Sequence, residues 1–97
     1  MPKQASKKKK VVLKHKVQFK FFAPEAKSVI LTGSFNKWNP IRKVMKKNDK
    51  GEWLTRVILA EGDHQYKYIV DGNWINDPGA KKFADNGMGG TNSVRVV

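Results

Sequence analysis

The sequence contains no cysteine. A disulfide framework and any thiolate-based metal or catalytic site are therefore excluded, and the composition suits a reducing compartment. The longest apolar stretch is Val57-Ile58-Leu59-Ala60, far too short to cross a bilayer. The lysines near the N-terminus are followed only by Val11-Val12-Leu13, too short for the apolar region of a signal peptide, so a cytoplasmic location is expected. Histidine is scarce, with only His15 and His64, and no spacing of His and carboxylates suggests a metal site. Asp63-His64 is a neighbour pair in a turn, with no nucleophile beside it. Asp71, Asp77 and Asp85 would be the candidates for a glycosidase acid pair. Asp71 is better accounted for by a hairpin turn and Asp77 by the loop before Pro78. No catalysis and no cofactor are expected.

Basic charge, in contrast, is abundant. The 97 residues carry 20 Lys and Arg against 8 Asp and Glu, a net charge of +12. It is unevenly placed. Residues 1–16 hold seven lysines and no acid, leaving 13 basic and 8 acidic residues in the other 81. Residues 1–15 read as a basic tail, with 1–10 too polar to offset the entropy of ordering. Such a tail is either a solubilising segment or a polybasic arm for nucleic acid or anionic lipid.

The rest, 16–97, reads as one domain of short strands. Lys16 to Phe21 alternates apolar and polar with period two. Ser28 to Thr32 is β-branched and ends at Gly33. Ile41 to Lys46 is a short third strand. Trp53, Thr55, Val57 and Leu59 share one face of a fourth. In Gln65 to Val70, Tyr66, Tyr68 and Val70 share one face, and Gln65, Lys67 and Ile69 the other. Asp71-Gly72 is a hairpin signal leading to a short strand at Trp74. Asp77 to Gly90, with Pro78 and four glycines, reads as a long loop. Ser93 to Val97 closes the domain. About seven strands and no helix predict an all-β, immunoglobulin-like antiparallel β-sandwich; a five-stranded nucleic-acid-binding barrel is the competitor.

Two tryptophans stand outside the core pattern. Trp38 lies in the polar loop segment Gly33-Ser34-Phe35-Asn36-Lys37-Trp38-Asn39-Pro40, and Trp74 follows the Asp71-Gly72 turn. Either one alone reads equally as a lid over the core. Both together, with Lys67 facing outward nearby, argue for an exposed aromatic surface.

These segments carry a resemblance. Gly33-Ser34-Phe35-Asn36-Lys37-Trp38, Trp53, His64 to Trp74 (HQYKYIVDGNW), Asp77-Pro78 and Asn92-Ser93-Val94 resemble the glycogen-binding carbohydrate-binding module, of the family forty-eight type. That module is found in the beta subunit of AMP-activated protein kinase and in the N-terminal early-set domains of isoamylase and branching enzymes. The likeness runs from Lys16 to Val97. It implies an early-set sandwich that binds α-1,4-linked glucan without cleaving it. Position by position, it implies that Trp38 and Trp74 stack on glucose rings and that Lys67 and Asn92 hydrogen-bond sugar hydroxyls. Met88 falls where the kinase-subunit module has a leucine that reaches into the curved glucan. Lys37 replaces a usual asparagine, Gly89-Gly90 loosens the loop, and the basic tail lies outside the likeness.

The sugar chemistry agrees. A glucose ring presents an apolar C–H face that an aromatic plane covers, and a hydroxyl rim that Lys and Asn satisfy. The expected ligand is an α-glucan or maltooligosaccharide, bound by a monomer that docks on no membrane. Two other readings stay open. Basic charge with interleaved aromatics also describes a single-strand nucleic-acid binder acting through the tail. The sandwich would equally serve as an adaptor for a partner enzyme of glycogen metabolism.

Overall fold

The computed structural model describes residues 13–39 and 43–97. The tail up to residue 12 and the start of the expected third strand lie outside the described residues. Nine strands are present among those described: β1 (Lys14–Phe22), β2 (Val29–Gly33), β3 (Lys43–Val44), β4 (Lys46–Lys47), β5 (Glu52–Ala60), β6 (Asp63–Val70), β7 (Asn73–Ile75), β8 (Lys82–Asp85) and β9 (Thr91–Val96). One sheet has the order β1-β5-β4. The other has the order β3-β2-β6-β9-β8, with β7 paired to β6. Every pairing is antiparallel. The fold is the expected all-β sandwich of two antiparallel sheets.

The strand count exceeds the expected seven for two reasons. The expected third strand is two pieces that join different sheets. β3 pairs with β2 and β4 with β5, and Met45 between them enters the core at 2% exposure. The Asp77–Gly90 stretch is also not all loop. Lys82–Asp85 forms β8 because the edge of β9 offers it a hydrogen-bonding partner, with Phe83 opposite Ser93. In addition, β1 begins at Lys14, two residues ahead of the alternating pattern, and His64 is a β6 residue rather than a turn residue.

The alternating residues meet in one core. Phe19 and Phe21 from β1, Trp53 and Leu59 from β5, Leu31 from β2, and Tyr66 and Tyr68 from β6 all pack in a single cluster. Two ring pairs join the sheets: Phe19 to Tyr66 with centroids 4.9 Å apart, and Phe21 to Tyr68 at 4.8 Å. Each such ring contributes about 1.5–3 kcal/mol by leaving water. The polar tips of these core rings are satisfied too. Tyr66 donates to Asp77 Oδ2 at 2.7 Å, and Trp53 Nε1 donates to the Ala23 carbonyl at 2.8 Å.

Facing Tyr66 and Tyr68 inward fixes Lys67 outward on the second sheet. Lys67 sits at a junction in that sheet. Along the same edge of β6, β9 pairs as far as Tyr66 and β7 takes over at Tyr68.

Candidate functional site

The Gly33–Trp38 segment is shaped by close approach. A Cβ at Gly33 would lie 2.4 Å from the Gln65 carbonyl oxygen and 2.7 Å from the Phe35 ring, so a side chain does not fit. Ser34–Asn36 then makes one 3-10 turn. The Asn36 side chain holds it, with Oδ1 accepting from the Gly33 N–H at 3.0 Å and Nδ2 donating to the Leu31 carbonyl at 3.3 Å. The Trp38 N–H donates back to the Gly33 carbonyl at 2.9 Å. Lys37 and Trp38 both adopt left-handed backbone, φ 58° and 59°. This local twist carries Trp38 to the outer side of the second sheet.

Trp74 arrives by a different route. Asp71 (φ 48°) and Gly72 (φ 89°) form a tight left-handed turn that suits a two-residue hairpin. The Asp71 carboxylate is occupied in fixing it, accepting the Lys27 and Ser28 N–H groups at 2.9 Å each. The hairpin then sets Trp74 opposite Ile69 on the outer face. Trp74 remains 47% exposed.

The third wall is the loop before β9. Asn86 Oδ1 accepts from the Met88 N–H at 2.8 Å and the Gly90 N–H at 3.1 Å, and Asp85 Oδ1 accepts from Gly87 at 2.7 Å. Gly87 (φ 76°) and Gly89 (φ 86°) take backbone that other residues resist. The glycine-rich loop expected to be loose is therefore tied by two side chains, and Met88 stands at its tip at 85% exposure. On β9, Asn92 Nδ2 donates to Gln65 Oε1 at 2.9 Å, which leaves Asn92 Oδ1 as an acceptor.

These elements enclose a groove of about 340 Å³ lined by Trp38, Lys67, Trp74, Asn86, Met88 and Asn92. All five residues singled out in the sequence line it, although they span positions 38 to 92. Asn86 is the residue sequence reading missed. The Asn-Gly pair at 86–87 was its only signal, and it reads as an ordinary turn. A second cavity of about 430 Å³ near Lys81, Lys82 and Arg95 contains no tryptophan.

The groove can do a definite kind of chemistry. Two indole planes offer apolar faces, Lys67 offers a charged donor, and Asn92 offers an acceptor. It holds no carboxylate to donate or accept a proton in bond cleavage. The three aspartates considered for acid chemistry are engaged elsewhere: Asp71 in its turn, Asp85 in its loop, and Asp77 beneath Tyr66 and Tyr68. Among the described residues, no three His, Asp or Glu side chains cluster closely enough to hold a metal.

A family model described as the glycogen recognition site of AMP-activated protein kinase matches residues 15–97. The chain belongs to that family. Curated relatives of this glycogen-recognition family include 5'-AMP-activated protein kinase subunit beta-2 of Mus musculus, 40% identical over 52 residues, which cover 54% of this chain and 18% of that protein. Subunit beta-1 of Bos taurus is 37% identical over 71 residues, 73% of this chain and 25% of that one. Subunit beta-1 of Sus scrofa is 35% identical over 71 residues, covering 73% and 55%. The chain thus spans a minor part of the length of most of these relatives.

Proposed function

We propose that this chain is a non-catalytic module that binds glycogen-like α-glucan in the Trp38–Trp74 groove. Trp38 and Trp74 stack on glucose rings, Lys67 donates to sugar hydroxyls, and Asn92 Oδ1 accepts from one. Met88 reaches over the bound chain from the loop tip, and Asn86 holds that loop in place. The observation that carries this reading is the convergence of two tryptophans from separate elements on one shallow groove with Lys67 and Asn92. Family membership supports the ligand class. The named relatives are kinase subunits, which favours a targeting role: the module brings a partner enzyme to the polysaccharide.

Capture on insoluble starch or immobilised glycogen at low and high salt tests the proposal. An uncharged polysaccharide should hold the chain at both salt concentrations, and the Trp38→Ala/Trp74→Ala double variant should pass through. Capture that collapses with salt would instead indicate phosphate contacts and the nucleic-acid reading.

A further inference from the structure

The three-stranded sheet turns its own outer face away from the groove. Alternate residues of β1 and β5 point there, in cross-strand rows. Lys14 lies opposite Ala60, Lys16 opposite Ile58, Gln18 opposite Arg56, Lys20 opposite Leu54, and Phe22 opposite Glu52. β4 adds Lys46, also opposite Leu54. Lys14, Lys16, Lys20, Lys46 and Arg56 are all exposed. Glu52 is the one carboxylate in these rows, and it faces Lys20 at 3.5 Å. Apolar side chains lie among the cations, with Ile58 64% and Phe22 67% exposed. At the β4 edge, Lys43, Lys46, Lys47 and Arg56 line a concavity of about 450 Å³.

Folding alone does not account for this face. Like charges in adjacent rows repel. Lysines on an edge strand do guard against unwanted strand pairing, and β1 is an edge strand. That need does not extend to Arg56 on the central strand, nor does it explain the exposed Ile58 and Phe22.

Against the expectation from sequence that the chain docks on no membrane, we propose that this face docks on an anionic lipid bilayer. The cations meet the negative headgroups, the concavity at the β4 edge takes a headgroup phosphate, and Ile58 and Phe22 enter the interfacial layer. A nucleic acid would match the charge and could stack a base on Phe22, but it has no use for the equally exposed Ile58, whereas a bilayer does. The two faces lie on opposite sheets, so docking leaves the groove open. The chain then holds a glucan at a membrane surface. That consequence rests on the glucan reading; the docking itself does not.

The test is co-sedimentation of the full 97-residue chain with vesicles of phosphatidylcholine alone or mixed with phosphatidylserine. The chain should bind only the mixed vesicles, and less at high salt. Lys16→Glu/Arg56→Glu should lose more than about tenfold in vesicle partitioning while keeping its circular dichroism spectrum and its capture on starch. If that pair fails to fold, Lys14→Gln/Lys46→Gln asks the same question with milder changes. Ile58→Ser should weaken vesicle binding and leave oligonucleotide retention unchanged. Undiminished vesicle binding by a folded charge variant would overturn the proposal, since the N-terminal lysines would then suffice. Absence of binding to the mixed vesicles would overturn it as well. So would an oligonucleotide that displaces the chain from vesicles with Ile58→Ser behaving as wild type.

Discussion

Trp74 lies directly opposite Ile69 in the β6–β7 ladder, one alternate position along β6 from Lys67. Ile69 points to the outer face and yet is only 6% exposed. Its cross-strand neighbours, Ile30 on β2 and Trp74 on β7, must cover it. Trp74 therefore has a structural task as a roof for an isoleucine, beside the proposed one as a platform for sugar. Trp74→Ala should weaken maltooligosaccharide binding by about 2 kcal/mol, roughly thirtyfold, as roughly 60–80 Å² of stacking area is lost. It should also lower stability by about 1 kcal/mol as Ile69 meets water. Titration calorimetry and urea unfolding read the two effects separately. An unchanged affinity would remove Trp74 from the site.

Lys37 holds left-handed backbone at φ 58° just before Trp38. That conformation is unfavourable for a long side chain and easier for asparagine, whose short amide tolerates it. The family's usual asparagine at this position thus has a conformational reason. Lys37→Asn should raise stability by about 0.5–1 kcal/mol without altering the groove lining. Lys37→Gly should stabilise by a similar amount, since glycine carries no steric penalty there. Urea midpoints at unchanged slope check both, and a destabilised Lys37→Asn would show that the lysine side chain makes a compensating contact.

The long strands were legible because their alternation is long enough to count. β1, β5 and β6 each run eight or nine residues, and Phe19, Phe21, Trp53, Leu59, Tyr66 and Tyr68 fall inward as period two requires. β3 and β4 have two residues each, too few to show a period. Their division between sheets depends on Met45 turning into the core, a tertiary event with no local mark. β8 is likewise defined by the β9 edge beside it. Alternation correctly turned Ile69 outward but could not show its burial, because its cover comes from a different strand. Trp38, Lys67 and Trp74 were legible through the G-S-F-N-x-W and Y-K-Y-I-V-D-G-N-W segments, with alternation also turning Lys67 outward, whereas Met88 and Asn92 were placed only by the resemblance around the glycine-rich loop. Asn86 escaped because its task, accepting two backbone N–H groups, is set by the loop, and the Asn-Gly pair that marks it in sequence reads as an ordinary turn.

Tyr66 and Tyr68 are almost wholly buried, and Asp77 accepts from both hydroxyls, at 2.7 and 3.4 Å. Burial first, and then the neighbouring Asp77 carboxylate, push both phenols well above the ordinary tyrosine range. Raised folded-state values mean that the unfolded chain loses its protons first as pH rises. Stability is therefore complete below about pH 10, the unfolded value, and falls above it by about 1.4 kcal/mol per pH unit for each ring. Urea unfolding at a series of alkaline pH values should show this slope, and Tyr66→Phe should halve it. Stability that stays level above pH 10 would mean that the rings ionise freely in the fold. Phenolate absorbance appearing without unfolding would report the same.

Lys67 lies at the point where β9 leaves β6 and β7 begins, flanked by the inward Tyr66 and Tyr68 and opposite Thr32 on β2. Its backbone is fixed on both sides by core rings, so its side chain leaves the sheet in a set direction. It lines the groove together with Trp74 and Asn92. A lysine on an outer sheet face is ordinarily a solvated charge, and truncating one changes nothing measurable. Here Lys67→Ala should cost about 1–2 kcal/mol of maltooligosaccharide binding, because a sugar hydroxyl loses a charged donor. Stability should stay within about 0.5 kcal/mol of wild type, since alternation with Tyr66 and Tyr68 turns the side chain away from the core. Lys67→Gln separates charge from hydrogen bonding. It keeps a donor at similar reach, so it should recover most of the affinity if the hydroxyl needs only a neutral partner. Calorimetric titration at two salt concentrations reads all three chains. A deficit in Lys67→Ala that persists in high salt identifies a direct hydrogen bond to neutral sugar, whereas equal affinities for the three would return Lys67 to the solvent.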